Sequence, residues 1–131
     1  MRILVVTTFF PNSVDSHRTV FVKNLVNAMH AYVKISVIAP VPYAPPLPKR
    51  ARWLALRRIP LREKIGEIYV EHPRFVVLPK IEWFTGASYF LGIVKMLSHK
   101  IRKLQPDVIH VHCAYPDGVG VALVARLIGV P

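Results

Sequence analysis

Arg2–Thr8, RILVVTT, is an unbroken aliphatic and β-branched run behind a single arginine. A strand with one wet face alternates apolar and polar residues. A run without alternation is the pattern of a strand covered on both faces, which is typical of parallel sheets flanked by helices. The next residues fit that constraint. Phe9–Thr19, FFPNSVDSHRT, is a turn-rich loop. Over Val20–Tyr32, Phe21, Leu25, Ala28 and Tyr32 recur at helical spacing, with Val22, Val26 and Met29 beside them. Val33–Pro40, VKISVIAP, is a second strand. Strand, helix and strand in about 40 residues form a βαβ unit, so the two strands should be parallel.

The middle of the chain breaks this rhythm. Residues 40–48, PVPYAPPLP, hold five prolines and predict a stiff, extended connector, neither helix nor central strand. A basic segment follows to Lys64, so 40–64 reads as a connector or insertion within one domain spanning residues 1–131. Ile68–Glu71 and Arg74–Leu78 have strand character, divided by His72-Pro73. Ala87–Leu104 reads as a long helix with Phe90, Ile93, Val94, Leu97 and Ile101 on one side. Lys100, Arg102 and Lys103 suit its negative end. Asp107–Cys113 is a further strand, and Gly118–Ile128 a further helix closed by Gly129. Alternating strands and helices define an α/β class, a Rossmann-like doubly wound sheet of mainly parallel strands. Strands near Ile3, Ile35 and Ile109 should be neighbours in it. The helix at 118–128 should leave apolar surface uncovered.

Several function classes are disfavoured. No G-x-G-x-x-G follows the first strand, since no glycine precedes Gly66. The second strand ends Ile38-Ala39-Pro40, without an acidic residue for a ribose, so NAD and FAD are not expected. No G-x-S-x-G and no Walker lysine loop occur. We expect no cofactor. Cys113, the one cysteine, leaves no intramolecular disulfide and fits a reducing cytosol. The amino terminus lacks a small-residue cleavage site and reads as a strand rather than a signal peptide. No apolar run reaches the roughly 18 residues of a membrane span.

Eighteen basic against seven acidic residues give +11, and Lys49–Lys64 alone carries +6 of it. Such a cluster attracts phosphate in some form. A nucleic-acid surface is disfavoured, because Trp53 is the only aromatic interleaved with the charges. An anionic membrane surface is the sharper reading. Each cation near it contributes about 1 kcal/mol, and Arg50, Arg52, Trp53, Arg57 and Arg58 would make the contact. A solvated insertion is the plainer alternative. The expected location is cytoplasmic, or peripheral on the inner face of the cytoplasmic membrane.

In sheets of this class ligands bind beyond the carboxyl ends of the strands. Two loops there carry polar residues that could form a site. The first holds Asn12, Ser13, His17, Arg18 and Thr19; the second, after IHVH, holds His112, Tyr115, Asp117 and Gly118. They should lie on one edge of the sheet. His112 sits where a strand leaves the core, either contacting a sugar or phosphate or bonded as a core histidine. His110, one pleat deeper on the same face, should be buried. Arg18, beside a helix start, could meet a phosphate or simply be solvated. Asp117 could be a general base, although capping the following helix is the simpler role. His110, His112 and Cys113 do not make a metal site, because Cys113 points to the opposite face.

MRILVVTTFFPN at the start, HRTVFVKNLVNAM at 17–29 and PDVIHVHCAYPDGVGVALVARLIGVP at 106–131 resemble the amino-terminal half of a GT-B glycosyltransferase of the retaining family 4. Residues 44–85 match only loosely. The resemblance implies an acceptor-binding domain facing a second, nucleotide-sugar-binding domain across a cleft. It also implies a glycan or lipid-linked acceptor. The loop Pro11–Thr19 would line the acceptor and donor-phosphate side, and His112–Gly118 the acceptor pocket. The family carries glycine after its His-Arg pair, where Thr19 stands here. A β-branched residue there hinders backbone approach to a phosphate. The donor domain and its paired glutamates lie outside this sequence. The chain alone should therefore be inactive and meet a donor only with a carboxy-terminal domain or a partner chain. The alternative is a non-catalytic membrane- or partner-binding module, such as the acceptor half of a two-chain transferase.

Overall fold

The computed structural model describes residues 1–43, 51–78 and 80–131. In chain order the elements are β1 (Arg2–Val6), α1 (Val20–His30), β2 (Lys34–Ile38), β3 (Val41–Tyr43), α2 (Ala51–Leu56), β4 (Arg62–Ile65), β5 (Ile68–Glu71), β6 (Arg74–Val76), α3 (Glu82–Leu104), β7 (Val108–Val111) and α4 (Val119–Leu127). A five-stranded sheet runs β4-β5-β2-β1-β7, and a two-stranded sheet pairs β3 with β6. β1 pairs in parallel with β2, Ile3 opposite Ile35, and with β7, Leu4 opposite Ile109. β2 and β5 are also parallel; only β4 runs antiparallel, against β5. The chain is thus α/β with a mixed, mostly parallel sheet, compatible with a Rossmann-like fold.

β1 lies at the centre of the packing. Leu4, Val5 and Val6 are wholly buried. Leu4 and Val6 face Tyr89, Ile93, Leu97, Val121 and Val124 of α3 and α4, while Ile3 and Val5 face Val22 and Val26 of α1. Helices therefore cover both faces, which is why the strand shows no alternation. On α1 the Val22/Val26 stripe is buried, whereas Phe21 and Leu25 are exposed, as is Tyr32 just beyond the helix. Two apolar stripes one residue apart differ by about 100° around a helix, so spacing alone does not choose between them. The shorter valines allow the closer seat on the sheet. α3 begins at Glu82, five residues before the expected start. Thr85 and Gly86 lie inside its first turns. At its other end Gln105 takes a left-handed φ of 44°, and its N–H donates to the Ile101 carbonyl at 2.8 Å.

The proline-rich stretch differs from the expected connector, because Val41–Tyr43 is a strand. β3 and β6 continue β2 and β5 in unchanged register, from Val37 opposite Val70 to Val41 opposite Arg74. The formal break falls at Pro40 and Pro73, which have no N–H to give. Hydrogen bonds bridge it: Ala39 N–H to the Glu71 carbonyl and Val41 N–H to the Pro73 carbonyl, both 2.8 Å. Val77 N–H then reaches the Tyr43 carbonyl at 3.0 Å. Residues 41 and 43 thus make the bonds to β6, and Pro42 occupies the alternate position where no donor is needed. Residues 44–50 lie outside the described residues. The rest of the basic segment forms α2 and the edge strand β4, where Arg62 and Lys64 place charge on an open sheet edge.

α4 ends as expected. Gly129 adopts φ 73°, and Val130 N–H donates to the Ala125 carbonyl at 2.9 Å. Val119, Leu123 and Leu127 remain 48–66% exposed, the uncovered apolar surface anticipated for this helix. Among the described residues no helix is long and apolar enough to cross a membrane.

Gly92 fixes how closely α3 approaches β6. A Cβ built there would lie 2.2 Å from the Arg74 carbonyl oxygen. Backbone cannot swing aside as a side chain does. Gly92→Ala should cost about 1–3 kcal/mol, read as a lowered denaturation midpoint in urea; unchanged stability would refute this packing.

Candidate functional site

β1 and β7 are adjacent and parallel, so their loops leave the sheet at the same carboxyl edge. One side-chain contact joins those loops. The Asp117 Oδ2 accepts from the Thr8 backbone N–H at 2.9 Å and from the Thr8 hydroxyl at 3.1 Å. Asp117 is completely buried. It does not cap α4, whose amino-terminal position is Gly118 with no side-chain cap. The capping expectation fails because Ala114–Gly118 forms a π turn. There, Gly118 N–H donates to the Cys113 carbonyl at 2.8 Å, and the carboxylate turns toward β1.

The electrostatics follow from burial. Burial pushes the Asp117 pKa up, opposed by the Tyr89 hydroxyl, the Thr8 donors and the nearby His112. Tyr89, on α3, has its pKa raised by burial and by the facing Asp117 carboxylate, so it stays protonated. Neither Tyr89 Oη nor Asp117 Oδ1 completes a hydrogen bond of ordinary geometry. Their interaction is electrostatic proximity. His112 is half-buried. Its pKa is lowered, first by burial and then by His110, while Asp117 acts against both.

His110 and His112 point the same way, with Nε2 atoms 3.2 Å apart. One ring nitrogen must donate and the other accept, so the contact requires at least one neutral imidazole. His110 is only half-buried, contrary to expectation. β7 is the outermost strand, and the histidine face of its free edge has only partial cover. Phe21 meets His112 edge-on, with ring centroids 6.2 Å apart. Cys113 turns aside, its Sγ donating to the Tyr115 carbonyl at 2.9 Å. Among the described residues no group of three or more His, Cys, Asp or Glu could hold a metal ion.

The first loop is built inward more than outward. Asn12 is buried, and its Oδ1 accepts from the Val14 and Asp15 N–H groups at 3.0 and 2.8 Å. Its role is to shape the loop. Ser13 is exposed, and its N–H donates to Glu63 Oε1 at 3.2 Å. Glu63 also meets His72 Nε2 at 2.8 Å, and His72 Nδ1 lies 2.8 Å from the Ala39 carbonyl. This chain of contacts ties the loop to β4 and to both proline breaks. The Arg18 guanidinium sits 5.9 Å from the centre of the Phe9 ring, and His17 is exposed. Thr19 takes φ 46°, ψ 51°, a left-handed conformation unfavourable for a β-branched residue.

Tyr115 is 48% exposed, and its hydroxyl donates to the Glu82 carbonyl at 2.9 Å. Phe9, Phe21 and Tyr115 are exposed aromatics of these segments, and Phe21 touches His112. Of the expected loop residues, Asn12 and Asp117 face inward, Ser13 turns toward β4 through Glu63, and His112 meets Phe21 of α1. Thr8 and Tyr89 carried no sequence signal. Their roles arise from a contact spanning 109 residues and from the packing of α3.

The expected membrane residues lie elsewhere. Trp53 is half-buried against Val41, Leu56 and Ile59. The Arg57 guanidinium stands 4.8 Å from the Tyr43 ring centre, and Arg58 is exposed. Arg50 and the side chain of Arg52 lie outside the described residues.

The fold is α/β, and the carboxyl edge of its sheet carries polar and aromatic side chains. No family model and no curated protein matches the chain.

Asp117→Asn keeps an oxygen for Thr8 and offers Tyr89 a donor, so it should cost clearly less than Asp117→Ala. Asp117→Ala orphans the Thr8 N–H and should cost about 1–3 kcal/mol. Equal losses in urea unfolding would contradict the clamp. His112 should titrate below the usual histidine range by NMR, and His110→Ala should move it upward. In linkage terms, the lowered folded pKa means that the unfolded chain takes up more protons. The His112 contribution is thus complete above the unfolded pKa of about 6.5 and is lost as pH falls through the folded value.

Proposed function

We propose that this chain is the acceptor-side domain of a glycosyltransferase, the amino-terminal half of a GT-B fold similar to the retaining family 4. The observation that carries this reading is the meeting of two particular loops. Those after β1 and β7, which hold the segments resembling that family, are joined by the Asp117–Thr8 contact at the sheet's carboxyl edge.

The side chains of the rim suit a sugar. His112, held toward its neutral form, can offer a hydroxyl one donor or one acceptor. Exposed Phe9, Phe21 and Tyr115 supply apolar faces. Asp117 is a positioning residue in this scheme. It is buried and bonded to Thr8, so it holds the rim together instead of touching the acceptor. Departure of a nucleoside diphosphate needs positive charge around it. Arg18 is the cation this rim offers. The remaining positive groups, and the nucleotide-sugar site, belong to a second domain or a partner chain. Contact with an anionic membrane through the Arg57 and Arg58 region is part of the same proposal, supported by the exposed Leu54 beside them.

The test is acceptor binding followed by transfer. A panel of short-chain alkyl glycosides should shift backbone NMR signals at 8–21 and 110–118, and His112→Ala should weaken that binding at least fivefold. Sugar transfer from a nucleotide donor should appear only after a donor domain is added. Shifts confined to other regions, or turnover of a nucleotide-sugar by this chain alone, would reject the proposal.

A further inference from the structure

A second site stands on the opposite side of the sheet, independent of the glycosyltransferase reading. A cavity of about 560 Å³ lies between β4, the β5–β6 junction and α3. This is within the roughly 300–1,000 Å³ range of small-molecule sites. His112 follows β7, four strand positions from β4, or roughly 19 Å at 4.8 Å per strand.

The cavity is built as an amphiphile site would be. Leu61, Pro73, Gly92 and Met96 give it an apolar floor. Leu61 is 63% exposed there. Gly92, Met96, His99 and Lys103 follow helical spacing along one side of α3, next to the core-facing stripe. Gly92 presents no side chain, so the α3 backbone can come close to Arg74.

The charges around that floor do not balance. Arg62, Arg74, Lys95, Lys100 and Lys103 face a single carboxylate, Glu71. Glu71 is buried and already occupied, by Arg62 and by the Lys100 Nζ at 3.1 Å. Burial acts to raise its pKa, but these two cations prevail and hold it below the usual carboxylate range. Among the described residues no carboxylate pairs with Arg74, Lys95 or Lys103. Arg74 is partly desolvated: one terminal guanidinium nitrogen donates to the Ile59 carbonyl, and the other terminal nitrogen is buried away from the open groove. Its charge therefore acts on the groove through space, and an anion there offsets part of the cost of burying it.

We propose that this groove binds a single-chain lipid with a phosphate monoester head, its chain along Leu61 and Met96 and its phosphate against Lys95, within the field of Arg74. Two features favour a phosphate monoester over a neutral or singly charged head. Such a head carries close to two negative charges, and three cations stand uncompensated. Lys103, eight residues along α3 from Lys95 and hence roughly 12 Å away, adds attraction at the far end.

The probe is dodecyl phosphate below its micellar concentration, titrated by calorimetry into the whole chain. Inorganic phosphate and dodecyl maltoside run in parallel. Saturable one-to-one binding is expected, at least tenfold tighter than to either control. Lys95→Glu with Lys103→Glu, both on the surface, should weaken it tenfold or more while circular dichroism stays unchanged. Lys23→Glu with Lys34→Glu changes net charge equally but elsewhere, and should alter binding less than twofold. Equal affinity for inorganic phosphate would mean a bare anion site. Equal affinity for the maltoside would mean unspecific apolar contact, and equal weakening by both charge reversals a diffuse field. Binding to anionic vesicles without binding of the monomer would mean a membrane surface. Each of these results, or no binding at all, overturns the proposal.

Discussion

The buried carboxylate of Asp117 organises the carboxyl edge of the sheet between β1 and β7. Neighbouring parallel strands fix each other only as far as their ladder extends. Beyond Val6 and Val111 the two loops would otherwise diverge. The bond from Asp117 to Thr8 carries the β1–β7 pairing past the last ladder position. Burial makes the contact demanding, since a carboxylate out of water must find donors. Thr8 supplies two, and Tyr89 stands opposite the remaining oxygen. The same charge also bears on His112, where it opposes burial and the second imidazole. Loop geometry and the protonation of the rim therefore share one cause.

A second chain of polar contacts performs the same task on the other side of β1. Ser13, Glu63, His72 and the Ala39 carbonyl link the first loop to the points where Pro40 and Pro73 interrupt the paired strands. The prolines end one sheet and begin another without a change of register. This lets β3 and β6 extend beyond the main sheet and carry the small cluster of Val41, Leu56 and Ile59. The basic segment is thereby drawn into the fold. Trp53 packs on that cluster, and Arg62 pairs with a buried glutamate. Positive charge that looks in the sequence like one surface patch is divided between α2 and a groove beside α3.

Much of the architecture was legible in the residues. RILVVTT announced a strand covered on both faces, and the order of elements gave a mostly parallel sheet with β1 beside β2 and β7. The fine choices were not legible. The valine stripe of α1, rather than the Phe21 stripe, faces the core, and Asp117 accepts from Thr8 instead of capping α4. α3 starts at Glu82, five residues before the expected Ala87. Val41–Tyr43 became a strand because Pro42 falls on the alternate position that donates nothing. In each case the deciding partner is distant in sequence.

The sequence by itself determined the class of fold, because covered strands and amphipathic helices are patterns of local periodicity and composition. It also determined which two loops would share an edge, since parallel neighbours send their carboxyl ends the same way. Only the tertiary structure decided which polar side chains face outward. It turned Asn12 and Asp117 inward, brought two imidazoles within 3.2 Å, and left one guanidinium nitrogen of Arg74 buried without a partner beside an apolar groove. Solvation and pairing depend on what surrounds a group in space, and a linear pattern does not carry that information.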